Sequence, residues 1–217
     1  QGETQLAIRQ VLGNDHLTDD EMNEAYKGLQ SFLLELDKKV TIQIANSNWY
    51  SKEYSIKNEF RDLLLTYYNA EVKMADFAAP STVSDINKWI EGNTNGKIKD
   101  MLDQIPDDAV MYLINAIYFK ADWQYKFDEE KTALAPFYTP NGATDVKMMF
   151  SKGTKLSYQY ADEFTLIDIP YGNGQYSMTV LMQNEDSDIN EIIEGLNNPL
   201  FGKQGRHDNC RTLPPKI

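Results

Sequence analysis

The segment NAIYFKADWQYKF, residues 115–127, begins with an amide and then becomes almost wholly apolar. The residues from Val110 to Phe119 are mainly β-branched, aromatic or otherwise apolar, and Lys120–Asp122 end the run. There is too little alternation of polar and apolar residues for a half-exposed strand, so the pattern predicts a strand buried on both faces. Asn115 stands in the middle of this strand, and a buried amide without partners costs about 1–3 kcal/mol.

The segments upstream of this run mix helices and strands. Thr18 and Glu21 have the spacing of a capping box at the start of a helix. The alternating residues from Val40 predict a strand. A segment with one apolar face follows Pro80 and predicts a helix over residues 83–93.

The segments downstream are mainly strands. Residues 166–182 predict a β-hairpin that turns at Asn173 and Gly174. Helices and strands do not alternate regularly along the chain, and this favours an α+β fold. We expect Val110–Phe119 at the centre of a large mixed β-sheet, the helix at 83–93 across that sheet, and the hairpin in a second sheet.

Composition and charge exclude several classes of protein. The chain has 217 residues, 41% of them hydrophobic and 25% charged, which is typical of a globular protein. The formal net charge of -12 argues against a nucleic-acid partner and against docking on anionic lipid. The sequence has no apolar run long enough to span a bilayer.

The residues alone indicate no catalytic, cofactor or metal site. His16 and His207 lie far apart and have no partners at ligand spacing, and Cys210 is the single cysteine. The serines do not occur in a nucleophile motif. From residue patterns alone, the chain is an α+β domain that shows no active site.

A resemblance to a known protein family indicates a more specific fold and function than the residue patterns alone. Residues 115–149 resemble the serpin signature, in which an apolar run between an asparagine and Phe-Lys is followed by spaced aromatic, small and paired methionine residues: Asn115, Phe119, Lys120, Trp123, Phe127, Thr132, Phe137, Gly142, Val146, Met148 and Met149. INKWIEGNTNGKI, residues 86–98, resembles the serpin helix that lies across the large sheet, and residues 166–182 resemble a hairpin of the second sheet. The resemblance covers about residues 1–200; near the end, Pro215 departs from the family pattern.

The resemblance implies an inhibitor of serine or cysteine proteases and not an enzyme. In this family the protease cuts a reactive-centre loop, is held as an acyl-enzyme, and the loop inserts as a new strand into the large sheet. Asn115 resembles the "shutter" asparagine beside the insertion slot, and Trp123 and Thr132 match positions of the "breach" where insertion begins. Plain alternatives stay open: local backbone could satisfy Asn115, and Trp123 could serve core packing.

The resemblance also sets expectations about the protein as a whole. We expect residues 1–217 to form a single serpin-like domain that is incomplete, because the N-terminal helices and the C-terminal reactive-centre loop of the family are not matched. The protease partner would then bind through the missing loop, and unpaired strands would favour self-association. No cofactor is expected. We also expect an extracellular or cell-envelope location and a bacterial source. The alternative to a protease inhibitor is a non-inhibitory serpin, such as a carrier or chaperone-like protein, or an inactive truncated product.

Overall fold

The computed structural model describes residues 2–139, 141–151 and 154–196. The chain forms two compact units, Gln1–Lys120 and Ala121–Ile217. His207, Cys210 and Pro215, which the sequence analysis considered, lie outside the described residues.

The first unit contains four helices and three strands among its described residues. In chain order these are α1 (Glu3–Val11), α2 (Asp19–Glu35), β1 (Val40–Ser51), α3 (Asn58–Tyr67), β2 (Ala70–Ala75), α4 (Pro80–Asn93) and β3, which starts at Met111 and ends at Ala121. The predicted capping box of α2 is confirmed: the Thr18 hydroxyl accepts from the Glu21 N–H at 3.2 Å, and the Glu21 carboxylate accepts from the Thr18 N–H at 2.8 Å.

The sheet of this unit has the strand order β2-β1-β3. β1 and β2 are parallel, with Asn46 opposite Ala70 and Ser51 opposite Ala75. β3 is antiparallel to β1, because the N–H of Ser51, at the end of β1, donates to the carbonyl of Val110, just before β3 begins, at 3.0 Å. The sheet is therefore mixed, as predicted. Within the described residues, however, β3 lies at an edge of this sheet and not at its centre.

Helix α4 lies across one face of the sheet, as the sequence predicted. Pro80 occupies its first turn, where a fixed φ favours helix initiation and a missing N–H costs no hydrogen bond. The buried core of the unit consists of residues from α4 and from the two strands below it: Trp49, Ile86, Trp89, Ile90 and Ala116. The helix thus covers β1 and β3 from one side.

The prediction that β3 is buried on both faces is wrong for the described residues. Tyr112 and Ile114 pack against the α4 core, whereas Leu113 and Ile117, which point to the opposite face, are 69% and 56% exposed. Burial therefore alternates with period two. The sequence does not show this alternation, because both faces of the strand carry apolar side chains.

The second unit is mainly β. Its elements are β4 (Ala133–Thr139) and β5 (Gly142–Met148), which form an antiparallel pair, then β6 (Ser157–Tyr160), β7 (Phe164–Tyr171) and β8 (Tyr176–Gln183) in the order β6-β7-β8, and α5 (Ile189–Gly195). The predicted hairpin is confirmed as β7–β8, in a sheet separate from that of β3. No helix among residues 2–139, 141–151 and 154–196 is long and apolar enough to cross a bilayer.

The β7–β8 turn explains two of the glycines. Tyr171 and Tyr176 are paired across the hairpin, so the loop has four residues, 172–175, and includes the predicted Asn173-Gly174. The Gly174 N–H donates to the Tyr171 carbonyl at 2.7 Å. Gly172 and Gly174 have φ values of 51° and 91°, which glycine adopts at low cost.

Candidate functional site

Asn115 joins the two strands β1 and β3 through its side chain. Its Nδ2 donates to Oδ1 of Asn46 at 2.8 Å. The sequence analysis placed Asn115 in a buried position, and this is wrong for the described residues: the side chain is exposed, because α4 covers the opposite face of β3. In the described residues, the amide nitrogen of Asn115 nevertheless bonds to a side chain of β1, whereas the plain alternative was a bond to local backbone.

The amide pair continues into a longer series of hydrogen bonds. Nδ2 of Asn46 donates to the carbonyl of Tyr68, just after α3, at 2.8 Å. The Tyr68 hydroxyl donates to Oδ1 of Asn23 in α2 at 3.0 Å, and its ring stacks on Tyr26 at 4.6 Å. Burial raises the pKa of Tyr68, and the charges of Tyr26 and Asp19 add to this effect. The phenol thus stays protonated and can donate.

Asn48 is an unusual neighbour of this pair. It is fully buried, yet neither its amide nitrogen nor its amide oxygen has a hydrogen-bond partner among the described residues. It lies two residues after Asn46 in β1, so both side chains point to the same face of the sheet. A buried amide in this state weakens the fold that contains it.

Sequence reasoning missed Asn46 and Asn48. Two amides at i and i+2 in the segment 45–50, ANSNWY, were a usable signal, because residues two apart in a strand share a face. That signal does not reveal Asn115 as the partner, since the pairing of β1 with β3 depends on contacts between distant parts of the chain.

Trp123 is half-buried in the second unit, where it packs on the end of β7. Its ring stacks on Tyr171 with centroids 4.3 Å apart and meets Phe127 edge-on at 6.0 Å. The backbone around it is also bonded to this strand: the Gln124 N–H donates to the Pro170 carbonyl at 2.8 Å. Tyr171 is thus the stacking partner of Trp123.

Thr132 is half-buried, and its hydrogen bonds are local. Its N–H donates to the Glu129 carbonyl at 3.1 Å, and its hydroxyl lies 3.5 Å from the Asp128 carbonyl, so both bonds return to the 3₁₀ turn before it. Trp123, by contrast, contacts the rings of Phe127 and Tyr171 and pairs with the end of β7. A shared role for Thr132 and Trp123 stays a prediction.

The chemistry available at these positions is hydrogen-bond exchange and aromatic stacking. Among the residues that the structure describes, no group of three or more His, Cys, Asp and Glu is placed to hold a metal ion. The amide of Asn115 can both donate and accept, so it can change partners if β3 moves.

Comparison with known sequences now decides the family. The sequence model of the family described as "Serpin (serine protease inhibitor)" matches residues 1–212. The chain belongs to the serpin family. Among curated serpins, human neuroserpin is 30% identical over 198 residues, which are 86% of this chain and 48% of neuroserpin.

Solved serpin structures agree with the fold. The thermophilic serpin tengpin in its native state matches with a TM-score of 0.80 and 30% identity, over 90% of this chain and 50% of tengpin. Tengpin in its latent state matches with the same TM-score and identity, over 90% of this chain and 53% of tengpin. The chain thus spans about half the length of the serpins it matches. The predicted α+β serpin fold is confirmed.

Proposed function

We propose that the natural protein in its full length inhibits serine or cysteine proteases by inserting its cleaved loop into the sheet that contains β3. The observation that carries this proposal is the hydrogen bond between Asn115 and Asn46, which joins β3 to β1 by side chains. By the family resemblance, Asn115 corresponds to the shutter asparagine. Membership of a family described as serine protease inhibitors supports it.

The mechanism assigns the covalent chemistry to the protease. Its serine or cysteine attacks the loop and forms the acyl-enzyme, while the serpin supplies strain that is released when the loop joins the sheet. The sheet must take up a new strand next to β3, whose edge position among the described residues fits this requirement. The amide pair holds β3 to β1 while the other edge changes neighbours.

Trp123 and Tyr171 are proposed to mark the region where insertion starts. Their stacked rings and the Gln124–Pro170 backbone bond fasten the chain just after β3 to the end of β7. Thr132 is proposed to contribute to the same region, on the family resemblance alone.

Partners and location follow from the same proposal. The partner is a protease that recognises the reactive-centre loop. By the family resemblance, this loop belongs to the half of the serpin fold that residues 1–217 do not match. We propose that residues 1–217 fold as part of one serpin-like domain that works outside the cell or in its envelope. The apolar side chains on the open face of β3, with Leu113 69% exposed, support self-association when this face is uncovered.

The test is to incubate the full-length protein with trypsin-like, chymotrypsin-like, subtilisin-like and papain-like proteases. An inhibitor of this type gives a complex with at least one protease that survives SDS. Asn115→Ala should lower the fraction of complex and raise the fraction of cleaved serpin, while Asn141→Ala, an exposed amide of the β4–β5 turn, should change neither. Cleavage by the whole panel without any complex would favour the non-inhibitory alternative.

A further inference from the structure

A polar contact fastens the side of α4 to the sheet. The indole Nε1 of Trp89 donates to Oε1 of Glu71 at 2.8 Å. The other carboxylate oxygen of Glu71 lies 2.7 Å from Nζ of Lys73. Glu71 and Lys73 are two residues apart in β2 and therefore point to the same face. One carboxylate thus connects the helix to an ammonium group on the strand.

Lys73 extends this contact to β1. Its Nζ lies 4.8 Å from the centre of the Trp49 ring, which faces it across the register of β1 and β2. A cation over an indole face is attracted by the ring. Trp89, Glu71, Lys73 and Trp49 therefore form a continuous series across α4, β2 and β1, which we name the α4 bracket.

The bracket combines buried rings with accessible charges. Trp49 and Trp89 are 6% and 8% exposed and belong to the core below α4. The side chains of Glu71 and Lys73 are 52% and 39% exposed. The charged half can therefore be changed without opening a cavity, so its effect can be separated from that of core packing.

On its other side, α4 is tied to the segment that follows it. Asn87 exchanges two hydrogen bonds with Leu102: its Nδ2 donates to the carbonyl at 2.7 Å, and its Oδ1 accepts from the N–H at 2.9 Å. Helix and return segment are thus held together. The helix is held to the sheet by apolar contacts, by the bracket and by an exposed 3.3 Å bond from Asn95 to Gln43. At its first turn, the Thr82 hydroxyl also donates at 2.6 Å to the carbonyl of Asp76, directly after β2.

We infer that Glu71 is a positioning residue that controls how often α4, together with its return segment, lifts from the sheet while the strands stay folded. The carboxylate is the one group of the bracket that bonds both to the helix and to the strand. Removing it leaves the Trp89 N–H without its acceptor and leaves the Lys73 ammonium without its counter-charge. The inference concerns an opening of the unliganded protein, so it goes beyond inhibition and does not depend on it.

The test is native-state hydrogen exchange of the full-length protein, read by mass spectrometry on a peptide from α4 and a peptide from β1. Hydrogen bonds to charged groups are stronger than neutral ones, so Glu71→Ala should speed exchange in α4 by roughly tenfold. Glu71→Gln keeps an acceptor for Trp89 and should give a smaller increase. Exchange in β1 should stay unchanged in both variants.

A matched control is Lys99→Met. Lys99 pairs with Glu91 at 2.8 Å, so this variant breaks an ion pair of α4 that does not reach the sheet. It should leave exchange in α4 as in the unmodified protein. Equal exchange of α4 in Glu71→Ala and the unmodified protein would overturn the inference. An equal rise in α4 and β1 would overturn it as well, because Glu71 would then support the whole unit.

Discussion

Substitution of Asn115 by alanine removes the side chain of β3 that donates a hydrogen bond to Oδ1 of Asn46 in β1. The change leaves the apolar face of β3 toward α4 intact, because Asn115 lies on the other face. Asn46 keeps its own bond to the Tyr68 carbonyl at 2.8 Å. The variant thus isolates the amide contact between β1 and β3.

The structure sets the expected size of the effect. A neutral hydrogen bond contributes about 0.5–1.5 kcal/mol net, and a fully buried orphaned group costs about 1–3 kcal/mol. Because Asn115 is exposed in the described residues, water can reach its place, and we expect the lower range, about 1 kcal/mol, in the free energy of unfolding. The sequence alone suggested the higher range, because it placed this amide in a buried strand.

The assay is a double-mutant cycle in urea on the full-length protein, with Asn46→Ala, Asn115→Ala and the double variant. A direct bond predicts a coupling free energy of about 0.5–1.5 kcal/mol between the two sites. Asn115→Ala should also increase polymers on native gels, because β3 is held less firmly. A coupling below about 0.3 kcal/mol, which is the usual error of additivity, would refute the assignment of the pair.

Three further predictions concern single side chains, and a fourth concerns the 217-residue chain as a whole. Asn48→Leu should raise the free energy of unfolding by about 1–3 kcal/mol in urea melts, because it removes a buried amide that has no partner among the described residues. A loss of stability would show that Asn48 has a partner in the full-length protein. Tyr171→Leu should lower stability by about 0.5–1.5 kcal/mol by removing the stack on Trp123, measured in the same way, and an unchanged midpoint would contradict this. The Lys73 ammonium, and then the Trp89 N–H, hold the pKa of Glu71 below its ordinary 4.5. The ionised Glu71 carboxylate therefore stabilises the fold above pH 4.5, and this stabilisation is lost as the pH falls through the pKa of Glu71 in the folded protein. The unfolding midpoint of Glu71→Gln should thus change less on acidification than that of the unmodified protein. The 217-residue chain alone should form no SDS-stable complex with proteases and should scatter light as an associated species, whereas a monomer that inhibits stoichiometrically would contradict both expectations.

Local sequence signals predicted the elements that depend on neighbouring residues. The capping box at Thr18, the helix after Pro80 and the β7–β8 hairpin are each set by residues within a few positions, and each is present. These signals rest on backbone groups that must be satisfied locally, so a short window of sequence contains them.

The errors concern features that depend on the whole fold. The two faces of β3 are both apolar, so the sequence cannot show that α4 covers only the side with Ala116. The partner of Asn115 lies 69 positions away in β1, and a single sequence does not contain the register that brings them together. The stack of Trp123 on Tyr171 also joins segments far apart in the sequence, so a single sequence does not reveal it.

Loop insertion can be tested by measuring the thermal unfolding midpoint of the full-length protein before and after a protease cuts its reactive-centre loop. If the cut loop inserts beside β3, it adds a fully hydrogen-bonded strand and releases strain, so the midpoint should rise markedly after cleavage. Asn115→Ala should lower the midpoint of the uncut protein and leave a rise on cleavage. A midpoint that stays the same or falls after a confirmed cut in the loop would contradict the loop-insertion account.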